Sequence, residues 1–201
     1  MSVPAQDLLP FSPALVSRAP ESDMRIRHFL AVRPDEATLE RIDKVAASLR
    51  EQQGRYIRPI GKDRYHLSLH GPHPERKGPR DLVARISKAA ETVTARGFMV
   101  CVDRLSNFGD TTSRHAVVLT TWNEMPGLAI LHARLGDALR AAGLKTDSSS
   151  FTPHVTLFYR RGLVPERALP PIRWQVRDFV LIRSVIGASR HDEIARWRLA
   201  D

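Results

Sequence analysis

Alternating and helical hydrophobic patterns divide the chain into short elements, beginning near residue 26. Residues 26–32 are predominantly apolar and are typical of a strand. Pro34 then suits a first helical turn, and Gly54 is a suitable stop. The apolar positions between them have helical spacing and are Leu39, Ile42, Val45, Ala46 and Leu49. The pattern therefore predicts a strand followed by a helix.

The same reasoning predicts two more helices and several strands. Residues 81–96 and 126–142 carry apolar stripes at helical spacing, and Gly143 suits the end of the second. Strands are predicted over residues 65–70, 98–105, 115–121, 151–159, near 173–185 and 194–199, with a turn over 107–110. In each half a helix leads to a strand that contains a histidine. This order predicts an α+β fold with two related lobes around a shared cleft.

The chain ends differ from this patterned part. Four prolines interrupt every apolar stretch of residues 1–23, so we expect a disordered or extended tail, or an extension upstream of a start at Met24. Residues 24–201 are expected to form a single bilobal domain. We expect no signal peptide, because residues 1–23 lack a basic start and an unbroken apolar region, and no run of about 18 apolar residues occurs. We therefore expect no membrane partner, and a cytoplasmic protein.

Charge and cysteine content narrow the function classes. Lys and Arg total 31 against 22 acidic residues, a formal net charge of +9. This excess indicates either solubility alone or an attraction for polyanions such as RNA. The single cysteine, Cys101, lies in an apolar segment and is expected to pack in the core. No CxxC or HExxH pattern occurs, so we expect no metal and no other cofactor.

Two tetrapeptides share one pattern of histidine, apolar residue, hydroxyl residue and apolar residue. They are His66-Leu67-Ser68-Leu69 and His154-Val155-Thr156-Leu157. On a strand, residues i and i+2 share a face, so each histidine would project beside its hydroxyl residue while the apolar residues face the core. Two such strands facing each other would form a cradle of four polar side chains. The alternative is two core strands with incidental histidines.

The residue types suit cleavage of a cyclic phosphodiester. Such cleavage needs a base that activates water and an acid that protonates the departing oxygen, and histidine serves either role near neutral pH. Ser68 and Thr156 are candidates for holding the non-bridging phosphate oxygens. His66 and His154 are therefore the candidate catalytic pair, and this chemistry needs no metal ion.

At these residues the sequence resembles the two-histidine (2H) phosphoesterases, in particular bacterial RNA 2′,3′-cyclic phosphodiesterases, also called 2′-5′ RNA ligases. The resemblance covers most of residues 24–199 and is closest over 151–157. It implies a bilobal α+β fold, with two pseudo-symmetric lobes of antiparallel sheet, helices outside and a central cleft. It also implies metal-independent opening of a 2′,3′-cyclic phosphate to a 2′-phosphate, with His66 and His154 catalytic and Ser68 and Thr156 on the phosphate.

The sequence departs from the family after each motif. Tyr159 stands where the family usually has an arginine, and Arg160 follows one position later. Strand alternation predicts that Arg160 and His70 face the cleft, so they join Tyr159 as candidate substrate-binding residues. Tyr65 and Tyr159 are candidates for stacking on a base, whereas a packing role is expected for Phe151, Trp174 and Trp197.

The expected function is thus an RNA 2′,3′-cyclic phosphodiesterase that acts as a monomer on RNA 3′ ends. An enzymatic alternative would open a small cyclic phosphate of a nucleotide or of ADP-ribose. A non-enzymatic alternative would bind RNA ends or 2′-5′-linked oligonucleotides without turnover. The order of proton transfer between His66 and His154 stays open.

Overall fold

The computed structural model describes residues 26–52, 57–74, 81–108, 114–146, 151–185 and 188–201. The expectations for residues 1–23, for Gly54 and for the turn at 109–110 lie outside this part of the chain. The α-helices in this part of the chain are α1 Glu36–Glu51, α2 Leu82–Glu91 and α3 Pro126–Ala141, and a short 3-10 helix spans Lys62–Arg64. The strands are β1 Ile26–Val32, β2 Ile57–Pro59, β3 Leu67–His70, β4 His73–Pro74, β5 Phe98–Phe108, β6 His115–Thr120, β7 Leu144–Lys145, β8 Val155–Arg160, β9 Arg167–Val176, β10 Asp178–Val185 and β11 Arg190–Arg198.

One antiparallel sheet of nine strands organises the molecule. Its order is β11-β10-β1-β3-β8-β6-β5-β9, and β2 pairs with β8 beside this path. The two strands that carry the histidine motifs, β3 and β8, are neighbours at its centre. Four strands lie on each side of this junction, which gives the two pseudo-symmetric lobes that the sequence predicts. The last two strands of the chain return to complete the lobe that begins with β1.

Within the described residues, the helices pack on one face of the sheet. α1 packs behind β8 and β9, α3 packs behind β3 and β5, and α2 packs on α3. The main hydrophobic core lies between helices and sheet and includes the fully buried Leu67, Val155 and Leu157. On the other face a small separate cluster is formed by Ala31, Val180 and Ile182, with Phe29 packed against it. The sheet therefore has a core face and an open face, and the open face forms the cleft.

Local sequence explains where α1 begins and where α3 begins and ends. Asp35 caps α1, because its Oδ1 accepts a hydrogen bond of 2.8 Å from the amide of Thr38. Pro126 is the first residue of α3. The amide at this position has no carbonyl partner within the helix, so the lack of an amide hydrogen in proline costs no hydrogen bond. Gly143 follows α3 with a φ of 69°, a left-handed conformation that glycine adopts without strain. The predicted apolar stripe of α3 is fully buried and consists of Leu128, Leu131, Leu135 and Leu139.

Several predicted boundaries are wrong. α2 ends at Glu91 rather than at residue 96. The Thr92 hydroxyl donates a hydrogen bond to the Ala89 carbonyl, and the β-branched Val93 and Thr94 follow, which disfavours further helix. The single strand expected near 173–185 is two strands, β9 and β10, and β11 starts four residues before the predicted 194.

Trp174 is buried and Trp197 stacks on Phe179, in agreement with the packing roles predicted for them. No helix in the described residues is long and apolar enough to cross a membrane.

Candidate active site

The two motifs meet across the central strand pair. β3 and β8 are antiparallel, and Leu67 lies directly opposite Val155. Extending this register by one residue each way places His66 opposite Thr156 and Ser68 opposite His154. All four side chains point to the open face, because Leu67 and Val155 point into the core. The structure thus brings together the four residues that the motif predicts, around a local twofold axis.

The spacing of the two histidines suits a phosphate group between them. In an antiparallel pair, directly opposed Cβ atoms lie about 5 Å apart and diagonal ones about 7 Å apart. His66 and His154 are diagonal neighbours, whereas each histidine directly opposes the hydroxyl residue of the other motif. Two imidazoles on one diagonal and two hydroxyls on the other therefore surround one central position.

Each histidine is oriented by a carbonyl two residues upstream. Nδ1–H of His66 donates to the Arg64 carbonyl at 2.7 Å, and Nδ1–H of His154 donates to the Thr152 carbonyl at 2.8 Å. A carbonyl only accepts hydrogen bonds, so Nδ1 carries the hydrogen in both rings. In the neutral imidazole this leaves the lone pair on Nε2, and the Nε2 of His66 lies 3.1 Å from the Ser68 hydroxyl. Both reactive nitrogens are therefore Nε2 atoms.

The surroundings of His66 keep its ring neutral. Burial lowers the pKa of His66 to about 4, against the raising effect of its bond to the Arg64 carbonyl. Electrostatic repulsion from the Arg33 guanidinium, and from the protonated forms of His191 and His154, lowers this pKa further. The ring is also enclosed by aromatic neighbours, since its centroid lies 4.8 Å from that of Phe29 and 5.3 Å from that of His191. His66 is consequently an unprotonated base at neutral pH.

His154 has a different set of neighbours. Phe108, the last residue of β5, contacts its ring edge-on with 4.6 Å between centroids. The register of β6 against β8 places Thr120 beside His154, and the Thr120 hydroxyl donates to the Pro153 carbonyl at 2.8 Å. This bond holds the segment before His154 in place, although that segment is irregular rather than part of the predicted strand 151–159.

Two β-bulges move two predicted substrate-binding residues out of the cleft. In β3, Ala31 pairs with Ser68 and Leu30 with His70, so Leu69 is the extra residue and alternation reverses after it. His70 is 5% exposed, stacks on His132 of α3 with 4.1 Å between ring centroids, and bonds to the His132 carbonyl. The prediction that His70 faces the cleft is wrong for this reason.

The second bulge has the same effect on Arg160. In β8, Val118 pairs with Thr156 and Val117 with Phe158, which makes Leu157 the extra residue. Arg160 then lies beside buried His115 on the core face, so the prediction that it shares the face of His154 is wrong. Tyr159, which is 39% exposed, takes the open face instead. The structure therefore brings Tyr159 to the cleft.

Sequence reasoning missed His191 and Phe29 as members of the site. His191 lies on β11 and lines a narrow pocket beside His66 together with Arg33, Arg64 and Ile182. Burial lowers the pKa of His191 to about 4, and the charge of Arg64 contributes. Its Nδ1 is buried and has no hydrogen-bond partner within the described residues. Nothing local marks His191 in the sequence, because the sheet brings it from the end of the chain.

Other residues named from the sequence have structural roles. Tyr65 is fully buried and donates its hydroxyl to Asp43 at 3.0 Å, so it is not a stacking surface. Phe151 stacks on His132 with 3.9 Å between centroids, which agrees with its predicted packing role. Cys101 is half-buried in β5 between the core residues Val100 and Val102, so by strand alternation it faces away from the core and the expectation that it packs there is wrong. Within the described ranges, no group of three or more His, Cys, Asp or Glu side chains is arranged to hold a metal ion.

Comparison with known proteins identifies the family to which this arrangement belongs. The model of the 2′-5′ RNA ligase superfamily matches residues 34–187, a span that includes both motifs. The chain belongs to the 2′-5′ RNA ligase superfamily. These proteins are 2H phosphoesterases, and membership supports a phosphodiesterase-type enzyme. No curated protein matches the sequence.

Solved structures show the same fold. LigT from E. coli, crystallised with 3′-AMP, has a TM-score of 0.67 and 22% identity, and the match covers 87% of this chain and 98% of that chain. A structure described as a phosphoesterase has a TM-score of 0.66 and 23% identity, with the same coverage. TT0787 from Thermus thermophilus has a TM-score of 0.64 and 20% identity, covering 86% and 97% of the two chains. The predicted fold class is confirmed.

Proposed function

We propose that this 2′-5′ RNA ligase superfamily member hydrolyses the 2′,3′-cyclic phosphate at an RNA 3′ end to a 2′-phosphate. The observation that carries the proposal is the antiparallel pairing of Leu67 with Val155. This pairing sets two Nε2-presenting imidazoles and two hydroxyls around one point at the centre of the cleft. A phosphate group centred there has a proton acceptor on one side and a proton donor on the other.

The reaction needs one bond formed and one bond broken at phosphorus. Water attacks phosphorus as one histidine takes its proton, and the bond from phosphorus to O3′ breaks as the other histidine protonates O3′. The product is a 2′-phosphate with a free 3′-hydroxyl. Ser68 and Thr156 donate to the non-bridging oxygens, where negative charge builds in the transition state. The histidines and hydroxyls suffice for these steps, so we propose a metal-independent route.

The environment of His66 favours it as the base. Burial and neighbouring cations keep His66 unprotonated at neutral pH, and the lone pair on its Nε2, which faces the Ser68 hydroxyl at 3.1 Å in this structure, accepts the proton of the attacking water. His154 then acts as the acid in its imidazolium form, with one hydrogen on Nδ1 bonded to the Thr152 carbonyl and a second on Nε2 that passes to O3′. After hydrolysis the two proton positions are exchanged, and proton exchange with solvent resets the pair.

Product analysis tests the proposal. The protein is incubated in EDTA with a short RNA ending in 2′,3′-cyclic phosphate, and the product is identified by mass and by 2′- or 3′-phosphate position. We expect a 2′-phosphate from the unmodified protein and at least about 10²-fold less of it, in the same incubation time, from His66→Ala or His154→Ala. His28→Ala is the matched control, because His28 lies on the core-side face of β1 beside Arg183.

Two outcomes would replace the proposal. Turnover of an ADP-ribose cyclic phosphate with none of RNA would favour the small-substrate alternative. Tight RNA binding without product, which His154→Ala weakens only modestly, would favour a binding module.

A further inference from the structure

Trp122 is the most conspicuous unexplained side chain outside the catalytic cradle. It is 79% exposed, and it follows β6, the strand that lies beside His154. Exposing most of an indole leaves a large apolar surface in water, which a purely structural tryptophan would normally bury. The contacts around Trp122 show how the exposed ring is held in place.

One face of the Trp122 ring is covered by a fixed guanidinium group. The guanidinium carbon of Arg104 lies 3.6 Å from the ring centroid, in a cation–π contact. Arg104 is held in turn by a salt bridge to Glu166, whose other oxygen accepts a 2.5 Å hydrogen bond from Ser106. Trp122 and Arg104 therefore form a rigid pair, which we call the Trp122–Arg104 platform.

Neighbouring bonds fix the loop that carries Trp122. The amide of Asn123 donates to the Thr121 hydroxyl at 3.1 Å, and the Asn123 side chain donates to Asp103 at 3.2 Å. The indole is consequently held at a set position, although it is exposed. An exposed aromatic ring that is ordered beforehand loses little conformational entropy when a ligand stacks on it.

The position of the platform relates it to the catalytic centre. Arg104 pairs with Thr120, and Thr120 lies beside His154 in the next strand pair. Strands in a sheet are about 4.8 Å apart, so Arg104 on β5 is roughly 10 Å from the His154 strand. A substrate that extends beyond the reacting nucleotide would bring its next base toward this part of the sheet. Phe108, in direct contact with His154, lies nearer to the reacting nucleotide.

We propose that the Trp122–Arg104 platform stacks the base on the 5′ side of the cyclic phosphate, so that the substrate is an oligoribonucleotide of at least two nucleotides. This inference rests on the proposed function and deepens it by naming the substrate class. Stacking on an indole suits any base, because every base has a π-face. The platform therefore supplies affinity for a second nucleotide without sequence preference.

Paired substrates test the platform. One is a ribonucleoside 2′,3′-cyclic phosphate, and the other is a dinucleotide that ends in the same group. We expect Trp122→Ala to lower kcat/KM for the dinucleotide about 10-fold, within the range typical of one stacked base, and to leave the mononucleotide unchanged. Trp122→Phe keeps a ring and should restore most of the loss. Ile130→Ala, which removes an exposed apolar side chain on α3, is the control.

A binding measurement separates this inference from the proposed reaction. Trp122 fluorescence is followed in the His154→Ala variant during titration with a dinucleotide ending in a 3′-phosphate, and the His154→Ala/Trp122→Phe double variant gives the background. Saturable quenching that the double variant lacks supports the platform even if no RNA is ever hydrolysed. An equal loss on both substrates, or no loss and no quenching, would overturn the platform.

Discussion

The two sides of the cleft have the same backbone and different neighbours. Each motif strand presents a histidine held by the carbonyl two residues upstream, and each carries a bulge at the fourth motif residue, Leu69 or Leu157. Around His66 the cleft is enclosed by Phe29, His191 and nearby cations. Around His154 it opens toward Phe108 and the Trp122–Arg104 platform.

The difference separates chemistry from recognition. The two motif strands, β3 and β8, place the groups that act on phosphorus. The strands on either side of them differ in sequence between the two lobes, and these outer strands set the environment of each histidine. Enclosure keeps His66 neutral, whereas the more open His154 side leaves room for the rest of a substrate. The first three of the following changes break the symmetry or test the asymmetry, and the fourth tests the stability of the core beside β3.

Removing either histidine should have the largest effect. We expect His66→Ala and His154→Ala each to lower kcat by about 10²–10⁴-fold, the usual contribution of an acid or base. The double variant should be little worse than either single one, because the two groups act in one step. Single-turnover rates of the variants check this. The control variant His28→Ala should have a rate within about twofold of that of the unmodified protein. Multiplicative losses in the double variant would contradict a concerted pair.

Removing a hydroxyl should cost less than removing a histidine. Ser68→Ala and Thr156→Ala each delete one donor to the charged oxygens, and we expect a loss of about 10²-fold in kcat/KM. Ser68→Thr and Thr156→Ser exchange the residues that the two motifs use. If the symmetry is functional, these exchanged variants should keep activity within a few-fold in the same assay. Activity unaffected by both alanine changes would remove the hydroxyls from the mechanism.

Opening the enclosed side should change the pH profile. His191→Ala admits water beside His66, so the pKa of His66 should rise from about 4 toward its ordinary value. A base must be unprotonated to act, and the acid limb of kcat/KM should therefore move to higher pH. The profile is measured from pH 4 to 8, and the His66 ring is titrated by NMR. An unchanged acid limb would mean that the enclosure does not set the pKa of His66.

The smallest expected effect concerns stability rather than catalysis. Burial, with the charges of His70 and Arg140, lowers the pKa of His132 to about 4. Between about pH 6.5 and 4 the unfolded chain binds more protons at this residue than the folded chain, so protonation favours unfolding and stability falls as the pH falls. His132→Phe keeps the ring stack between His70 and Phe151 and should reduce this fall. Urea midpoints at pH 7 and pH 5 measure it, and equal falls in both proteins would exclude His132 as a source.

The sequence was sufficient to predict the helices and the cradle. Apolar spacing predicted α1 and α3, and the repeated motif predicted that His66, Ser68, His154 and Thr156 share one face. Both predictions depend on short-range periodicity, which local backbone geometry enforces. Boundaries were less predictable, because strand ends such as the break between β9 and β10 depend on pairing with distant strands.

The bulges explain the errors at His70 and Arg160. Simple alternation assumes an uninterrupted ladder, and one inserted residue reverses every later side chain. One signal was present, since Leu157 and Phe158 are adjacent apolar residues and a regular half-buried strand would not place both in the core. In the first motif His70 follows Leu69 as Phe158 follows Leu157. Because His70 is polar, no pair of adjacent apolar residues indicates the bulge there. His191 had no signal, because only the return of β11 brings it to His66.

The most direct test of the central claim uses one substrate with a single atom changed. In a 2′,3′-cyclic phosphate with sulfur in place of the bridging O3′, the leaving thiolate needs no proton. If His66 is the base and His154 the acid, His154→Ala should lose about 10²-fold or more on the oxygen substrate but less than about tenfold on the sulfur analogue. His66→Ala should lose about 10²-fold or more on both. Equal losses for both variants on both substrates would contradict an acid–base pair, and rescue of His66→Ala instead would reverse the two roles.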